Sequence, residues 1–506
     1  MSVDRADQGG QRADLLARAL AAGAREAEVF GKTARGRRLV LEPGALRDGR
    51  PRITMATSIE SGVALRVLGR SGGRGMAWRS PFEPRSQADL VGEALLAATL
   101  SRPEGDGGSP GIPCAPRRGA LPAAADLGLF DARVLDRPVG SLRPLLEKAA
   151  ETAMEACGGH ALIDAVTLSE AVLSVDLINT LGFAGCYTRT LVLLSVLTAP
   201  VAPGARAVME ERSSSRLDDL DARGCGLDAA RRSLPGRAAI PAGCASPSVV
   251  MLPRAAADLL VRLVASLLAG GGAAPPGRRG RAAPSRPDRS AAAGLGIVDD
   301  GRLAGAFGSA PFDGVGQPTA TTLLVDGGRL VGRLSPEGGN VIRPALREPP
   351  VLGLSNLRLV RPGRTPGTGP GPGTAPGRSS GGPDAMALLD PGADPCLLIE
   401  AARCRTGPPF AIEVLRGEWR SRGAPVGPAD GLVWEGPLAV ILSALTGIGD
   451  DDAAFHPGLP VVVPALRMEG LGVWRHGERG EAPAAPGGPT ADQAARPARM
   501  NLSRMG

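Results

Sequence analysis

Long stretches rich in glycine and proline interrupt this chain and limit where packed structure can form. Its 506 residues include 72 glycines and 47 prolines, and the segments 270–293 and 363–385 consist almost entirely of small residues, proline and arginine. Such segments bury too little apolar surface to offset the entropy lost on ordering. We therefore predict that both are low-complexity inserts and that folded structure forms from the periodic segments around them.

The predicted core is aliphatic. Hydrophobic residues make up 43% of the chain, which is ordinary for a globular protein, but aromatic residues make up only 3%. The length leaves room for several domains of roughly 100–200 residues each.

The first part of the chain, residues 1–104, alternates helical and strand patterns. Apolar residues recur at helical spacing near the N-terminus and again after Ser86, which is placed as a helix N-cap. A glycine-rich turn between two apolar runs is typical of a hairpin. We predict an α+β layer domain. Its predicted elements are a helix over Ala13–Ala27, strands at Glu28–Phe30, Arg38–Glu42, Gly62–Leu68 and Met76–Trp78, and a helix over Gln87–Leu100.

The rest of the chain is predicted to contain a linker, a middle segment, a C-terminal domain and a tail. Residues 105–132 are predicted to be a linker, and a middle segment follows at 133–240, with a helix over Leu142–Cys157. Two antiparallel strands span Val166–Thr198 and turn at Asn179–Gly182. Residues 245–475 indicate a mainly antiparallel β domain, and 476–506 a disordered tail. The strands of this domain include Thr321–Val325 and Leu352–Val360, after a helix that begins at Pro253.

The histidine content excludes a conventional helix-borne zinc site. Such a site needs two histidines about one turn apart and a glutamate that activates water. The chain has only three histidines, His160, His456 and His476, and none has a neighbouring histidine at that spacing. Cys157 and His160 could supply two ligands, but no second pair completes a tetrahedral set.

Other catalytic and binding motifs are also absent or out of context. The three G-x-S-x-G strings lie in glycine-rich loops, and Gly31-Lys32-Thr33 lacks the first glycine of a phosphate loop. The tandem acids Asp299-Asp300 and Asp450–Asp452 could bind a hard cation, but their position before glycine or loop favours turns. A cysteine nucleophile paired with one of the histidines stays open as an alternative.

Charge and cysteine usage bear on partners and compartment. The net charge is +7 and the pI about 9.5, yet the arginine-rich segment 278–289 has no aromatic residue on which bases could stack. We therefore predict no nucleic-acid contact. Seven scattered cysteines are typical of reduced thiols, and no signal peptide or membrane span is evident, so a cytoplasmic location without membrane contact is expected.

A series of segments in the same order resembles the TldD/PmbA family. The central one reads IVDDGRLAGAFGSAPFDGVGQPTATTLLVDGGRLVGRL, from Ile297 to Leu334, and SNLRLVRPG follows from Ser355. GPLAVILSALTGIGDDD, from Gly436, is similar to the closing helix and acidic turn of the family. Upstream, AEVFGKTARGRRLVLEPGAL, GVALRVLGRSGGRGMAW and VDLINTLGFAGCYTRT resemble its earlier domains.

The resemblance implies a heterodimeric metallopeptidase that cleaves unfolded or flexible peptides. One type of subunit carries zinc on an HExxxH helix, and the PmbA-type subunit has no metal site. In the corresponding helix here, the histidine positions fall on Val261 and Ser266, and the glutamate position on Arg262. The resemblance therefore implies a non-catalytic, PmbA-type subunit without a cofactor of its own, paired with a zinc-bearing TldD-like partner. Phe312-Asp313-Gly314-Val315-Gly316 replaces the usual Phe-Asp-Asp-Glu-Gly.

Peptide contact is expected at strand edges, by addition of the client peptide as an extra strand. The candidate residues lie in the two strands named above. An alternative reading is a stand-alone peptide-binding or scaffold protein of the same fold without peptidase activity. The candidate peptide-binding residues are Thr321, Thr322, Leu323, Ser355 and Asn356.

Overall fold

The computed structural model describes residues 3–42, 52–101, 121, 126–201, 207–233, 246–271, 296–326, 329–332, 334–335, 338–343, 345–360, 395–407, 409–449, 453–455 and 460–475. Several predicted features lie outside these residues. They are the insert 363–385, the insert 270–293 beyond residue 271, the tail 476–506, the acidic run Asp450–Asp452, and most of the linker 105–132.

The N-terminal half forms one antiparallel sheet of six strands, in the order β3-β2-β1-β4-β5-β6. Because β1 pairs with β4, the segments 1–104 and 133–240 share this sheet. The described end of the predicted linker packs onto it, where the backbone N–H of Asp131 donates a hydrogen bond to Thr190 Oγ1. The strands are β1 (Glu26–Glu42), β2 (Arg52–Leu68), β3 (Arg74–Arg79), β4 (Ala161–Asn179), β5 (Ala184–Pro200) and β6 (Val208–Ser214).

The prediction of two short strands near the N-terminus is wrong, because β1 is continuous. The middle of β1 is polar, and a polar run without apolar alternation predicts a loop. In the structure β1 is paired on both sides, by β2 and β4, so its backbone groups are satisfied along its length. Arg37 Nε lies 2.5 Å from Glu170 Oε2 on β4, which compensates the buried charge.

Four helices pack on one face of this sheet. Leu15, Leu65 and Leu90 lie in one core cluster, and Leu39, Leu146 and Leu194 lie in a second. Ser86 occupies the N-cap position, as predicted, but its hydroxyl donates to Glu83 O and makes no capping hydrogen bond. The helices are α1 (Val3–Ala21), α2 (Gln87–Leu100), α3 (Val139–Cys157) and α4 (Ala222–Ser233), and short 3-10 turns lie at Pro84–Ser86 and Leu217–Asp219.

The C-terminal half contains two larger sheets around a central helix, α5 (Pro253–Gly271). Leu260 and Leu263 of this helix share a core cluster with residues of both sheets, such as Ile297 and Trp419. Most strand pairs are antiparallel, as predicted; β7 with β14 and β13 with β20 are parallel. One sheet has the order β10-β9-β8-β13-β20-β19 and the other β18-β21-β7-β14-β15-β17-β22, with β16 paired to β15.

The C-terminal strands are short. The predicted strand Leu352–Val360 is in fact two strands, β12 and β13, separated by a bend. The strands are β7 (Ser248–Met251), β8 (Gly296–Asp300), β9 (Thr321–Asp326), β10 (Arg329–Leu330), β11 (Val341–Ile342), β12 (Val351–Leu352), β13 (Leu357–Val360), β14 (Cys396–Arg405), β15 (Phe410–Ser421), β16 (Ala424–Pro428), β17 (Leu432–Gly436), β18 (Leu445–Ile448), β19 (Ala453–Phe455), β20 (Val461–Val463), β21 (Leu466–Met468) and β22 (Trp474–Arg475), with α6 at Leu438–Ala444.

The architecture is the predicted α+β class, an α/β layer followed by a mainly antiparallel β part. Within the described ranges, no helix has the length and apolar character needed to cross a membrane.

Candidate functional site

A cavity of about 390 Å³ lies between the helix-free face of the N-terminal sheet and loops of the C-terminal half. Small-molecule sites commonly have volumes of roughly 300–1,000 Å³. Lys32, Val175 and Tyr187 are direct neighbours across β1, β4 and β5, so strand alternation points them to the same face. The cavity is lined by Phe30, Lys32, Leu173, Val175, Tyr187, Arg189, Leu191, Phe307, Gly308, Ala310, Phe312, Asp313, Gly314, Thr319, Gly339, Asn340, Val341, Ile342, Arg343, Ala345, Gly353 and Ser355.

Three aromatic rings form one wall of the cavity and its support. Phe312 makes edge-on contacts with Phe183 and Tyr187, with ring centroids 5.2 and 5.0 Å apart. Gly316 has a φ of +88°, and a Cβ there would meet the Phe183 ring at 2.8 Å. The segment Phe312–Gly316 therefore needs this glycine to bring Phe312 and Asp313 to the cavity.

Asp313 is a buried carboxylate that organises the loop around it. It accepts backbone hydrogen bonds from Val315, Gln317 and Val341, at 2.9, 2.9 and 3.1 Å. Burial raises the pKa of Asp313 to about 6, although these hydrogen bonds oppose the shift; the charge of Glu28 adds to it. With three backbone donors, Asp313 acts mainly as an internal anchor.

Asp313 gives the protein a distinctive pH dependence. Its pKa is higher in the folded state than in the unfolded chain, so the folded state binds the proton more tightly between about pH 4 and 6. Stability is then full below the unfolded pKa and falls as the pH rises through this window, by about 3 kcal/mol. We expect urea unfolding between pH 4 and 7 to show this slope. Burial also raises the pKa of Asp299 to about 6 and raises the pKa values of Asp219, Asp228 and Asp430, so Asp313→Asn should reduce the slope without abolishing it. An unchanged slope in the variant contradicts this assignment.

The tandem acids Asp299 and Asp300 have different roles. Asp300 fulfils the predicted turn role, since its Oδ1 accepts the Arg302 N–H at 3.1 Å. The turn prediction is wrong for Asp299, which is buried and accepts four hydrogen bonds. The donors are Ser355 N (2.7 Å), Ser355 Oγ (2.9 Å), Asn356 N (3.1 Å) and Asn340 Nδ2 (3.0 Å).

An ion-pair cluster joins β1 to the C-terminal half beside the cavity. The buried Glu28 pairs with Arg343 and, at 3.2 Å, with Arg66 of β2. The Arg343 guanidinium also lies over the Phe30 ring, 4.4 Å from its centroid. Burial lowers the pKa of Arg66 to about 10, opposed by Glu28 and reinforced by the neighbouring Arg343. Both cavity walls are therefore held by charge as well as by packing.

The degenerate zinc positions lie on α5, away from the cavity. Val261 is half-buried against the core, Arg262 is exposed and Ser266 is half-buried. None of them lines the cavity. An aliphatic side chain has no lone pair for zinc, and a guanidinium cannot accept a proton, so these residues do not fit a zinc site. Within the described part of the chain, no three His, Cys, Asp or Glu side chains are grouped to hold a metal ion.

The predicted peptide-binding residues are only partly brought together. Thr321, Thr322 and Leu323 lie on β9, whose outer edge pairs with β10 only beyond them, at Val325 and Asp326. Ser355 lines the cavity, and Asn356 is fully buried just before β13.

The two strands predicted to bind a peptide by strand addition differ in whether they have a free edge. β13 is paired with β8 on one side and β20 on the other, so Leu357 and Arg358 offer no free edge. Strand addition at β9 remains a prediction.

Sequence reasoning missed the cavity residues Tyr187, Arg189 and Arg343. Tyr187 and Arg189 are separated by one residue in a predicted strand, and this spacing indicates that their side chains lie on the same face of the sheet. The partners that complete the site come from distant segments, which no local pattern connects.

The sequence and the fold match known proteins. Residues 246–366 match the sequence model of the PmbA/TldA metallopeptidase C-terminal domain. No curated protein matches the sequence. Three solved structures share the fold at identities too low to indicate more than the fold.

The three structures have TM-scores between 0.63 and 0.67. A protein of Thermotoga maritima named as a modulator of a DNA gyrase has 17% identity and a TM-score of 0.63, over 92% of this chain and 100% of that one. TldE of Thermococcus kodakarensis has 15% identity and a TM-score of 0.65, over 92% and 99%. A protein of Bacteroides thetaiotaomicron, also named as a modulator of DNA gyrase, has 17% identity and a TM-score of 0.67, over 93% and 99%.

Proposed function

This chain belongs to the TldD/PmbA family, and from that premise we propose that it is the non-catalytic subunit of a heterodimeric metallopeptidase. One observation carries the proposal. The helix that bears zinc ligands and a general base in TldD-type chains here presents Val261, Arg262 and Ser266, which fit neither role. The partner would be a TldD-like subunit with an HExxxH helix, which supplies the zinc, and the client would be an unfolded or flexible peptide.

The proposed compartment is the cytoplasm. Cys157, Cys186, Cys225, Cys396 and Cys404 are all free thiols in the structure. Free thiols in a chain of this size are typical of a reducing compartment. We propose contacts with a protein partner and a peptide, and none with nucleic acid or membrane.

Co-purification and reconstitution test the proposal. We expect the tagged full-length chain, purified from its native host, to bring down an HExxxH-bearing relative in near-equimolar amount together with zinc. The chain purified alone should contain no stoichiometric zinc and should not cleave unfolded peptides. Mixing it with the purified partner should yield chelator-sensitive cleavage above that of the partner alone.

The contrary outcomes separate the alternatives. Chelator-sensitive cleavage by the isolated chain overturns the non-catalytic role. Cleavage that is lost on thiol alkylation but resists chelators points to a cysteine nucleophile. If the native chain co-purifies with no HExxxH relative and binds peptides alone, it is a stand-alone binding protein.

A further inference from the structure

Arg189 differs from the other buried arginines of the described chain in having no carboxylate partner. Six arginines are buried there, and five of them form ion pairs with Asp or Glu. Arg189 is 6% exposed, and its hydrogen bonds to described residues go to carbonyl oxygens, from Nη1 to Ser309 O at 2.8 Å and from Nη2 to Phe307 O. Its guanidinium also lies over the Phe307 ring, 5.9 Å from the centroid. Burying a charge without an opposite charge costs free energy, so this arrangement calls for an explanation.

Arg189 lines the cavity and retains unused donors. Its Nε is buried and has no hydrogen-bond partner among the described residues. Each Nη nitrogen carries two hydrogens, so Nη2 keeps one after binding Phe307 O. Nε and Nη2 form the side-on fork of a guanidinium, whose two parallel N–H groups match the two oxygens of a carboxylate.

The other cavity residues favour an anion with an apolar body. Of the three cationic side chains that line the cavity, Lys32 pairs with Glu60 and Arg343 with Glu28, so Arg189 alone lacks a described acidic partner. The one carboxylate in the lining, that of Asp313, already accepts three backbone N–H groups. The wall beside Arg189 is aliphatic, because Leu173 and Leu191 flank it on β4 and β5. Lys32 and Ile342 are partly exposed, so the cavity reaches the surface at their side.

We propose that this cavity binds a molecule that carries a single carboxylate next to an apolar group, with the carboxylate on the Arg189 fork. An acylated apolar amino acid and the C-terminal residue of a short peptide share this chemistry. A doubly charged phosphate fits less well, because the side chains next to Arg189 on the sheet, those of Leu173 and Leu191, are aliphatic. The inference concerns a site within this chain and does not require the partner subunit.

The only tyrosine of the chain, Tyr187, provides a probe inside the cavity. Full-length protein labelled with 3-fluorotyrosine should give one ¹⁹F resonance from this site. We expect N-acetyl-leucine to shift it saturably, and N-acetyl-leucinamide, which has the same shape but no charge, to bind about tenfold more weakly or worse, because hydrogen bonds to charged groups are the stronger ones. Equal binding of acid and amide, or no shift with either, overturns the proposal.

Three variants locate the interaction. Arg189→Gln should abolish the preference for the acid. Leu173→Phe should block binding by filling the cavity while the positive charge of Arg189 is retained, which keeps the test decisive if Arg189→Gln disturbs folding. Arg38→Gln removes the same charge from an exposed site on β1 and should bind like wild type. If Leu173→Phe, folded by circular dichroism, binds N-acetyl-leucine as well as wild type does, the site is not this cavity.

A longer ligand distinguishes the two sources of the carboxylate. A tetrapeptide ending in leucine with a free carboxylate should bind at least as tightly as N-acetyl-leucine if the site takes peptide C-termini. Binding of N-acetyl-leucine alone assigns the cavity to free acylated amino acids. Either result supports a carboxylate site, and failure of both ligands overturns it whether or not the metallopeptidase partner exists.

Discussion

Replacing Glu210 by Gln is expected to lower the free energy of unfolding by about 3–5 kcal/mol, the usual cost of leaving buried charges uncompensated. Glu210 is 1% exposed and lies at the centre of an arginine cluster. Its carboxylate pairs with Arg212 and, at 2.7 Å each, with Arg232 Nη1 and Arg254 Nε. A neutral amide removes the only charge that is shared by all three guanidinium groups.

The position of this cluster explains why Glu210→Gln should destabilise both halves of the protein. Glu210 and Arg212 lie on β6, Arg232 on α4 and Arg254 on α5, so the ion pairs join the N-terminal sheet to the central helix of the C-terminal half. Arg212 also lies over the Phe455 ring, 4.6 Å from its centroid. Burial alone would raise the pKa of Glu210, but the positive charges of Arg254, Arg212 and Arg232 outweigh it and hold the pKa well below its usual range.

This depressed pKa fixes the sign of the pH effect. The stability that Glu210 contributes is fully present above the unfolded pKa and is lost progressively as the pH falls from there through the lower folded pKa. The difference in stability between wild type and Glu210→Gln should therefore be constant from neutral pH to about pH 5 and should shrink steadily at lower pH. Urea unfolding followed by circular dichroism measures it.

Glu93→Gln is the matched control. Glu93 pairs with Arg79 at 2.5 Å, but the two side chains are 53% and 30% exposed, and such surface pairs contribute at most about 1 kcal/mol. A Glu210→Gln protein that is as stable as Glu93→Gln contradicts the assigned role. Combining Glu210→Gln with Arg254→Met should restore part of the loss, because it removes one of the stranded charges.

Much of the fold is predictable because its elements are locally specified. The β4–β5 hairpin is an example, as the predicted turn Asn179–Gly182 is stabilised by Asn179 Oδ1, which accepts the N–H groups of Leu181 and Phe183 at 3.0 Å each. Gly182 supplies the positive φ of +91° that the turn requires. The helix from Pro253 is equally local, with a proline start and an apolar periodicity.

The features that sequence patterning misses depend on non-local contacts. The polar middle of β1 resembles a loop until β2 and β4 pair with it on both sides. Asp299 looks like a turn residue until Asn340, Ser355 and Asn356 surround it. Arg189 is unusual because no carboxylate of the described residues pairs with it, and only the three-dimensional structure shows this.

Asn356→Asp is expected to cost about 3–5 kcal/mol, because it places an uncompensated charge in a fully buried site. Asn356 Nδ2 donates to Asp300 O at 2.7 Å and to Ser309 Oγ at 3.0 Å, while Oδ1 accepts the Gly308 N–H at 2.9 Å. An ionised carboxyl group cannot donate, so an oxygen would face the Asp300 carbonyl, with the carboxylate of Asp299 nearby.

The introduced carboxyl group should also make the stability of the protein strongly pH-dependent and weaken ligand binding in the cavity. Its pKa is expected to be raised in the folded state by burial and neighbouring carboxylates, so the protonated acid can donate like the amide, and the deficit relative to wild type should shrink as the pH falls toward 4. Asn179→Asp is the control. Asn179 is also buried, but its Oδ1 accepts two backbone N–H groups that would stabilise a carboxylate as well, so its loss of stability should be much smaller than that of Asn356→Asp. The same loop carries the Phe307 and Ser309 carbonyls that hold Arg189, so Asn356→Asp should weaken N-acetyl-leucine binding at neutral pH, as the ¹⁹F signal of Tyr187 reports. Equal losses in the two variants, or a deficit that grows in acid, would show that the Nδ2 donor of Asn356 is not what holds this loop.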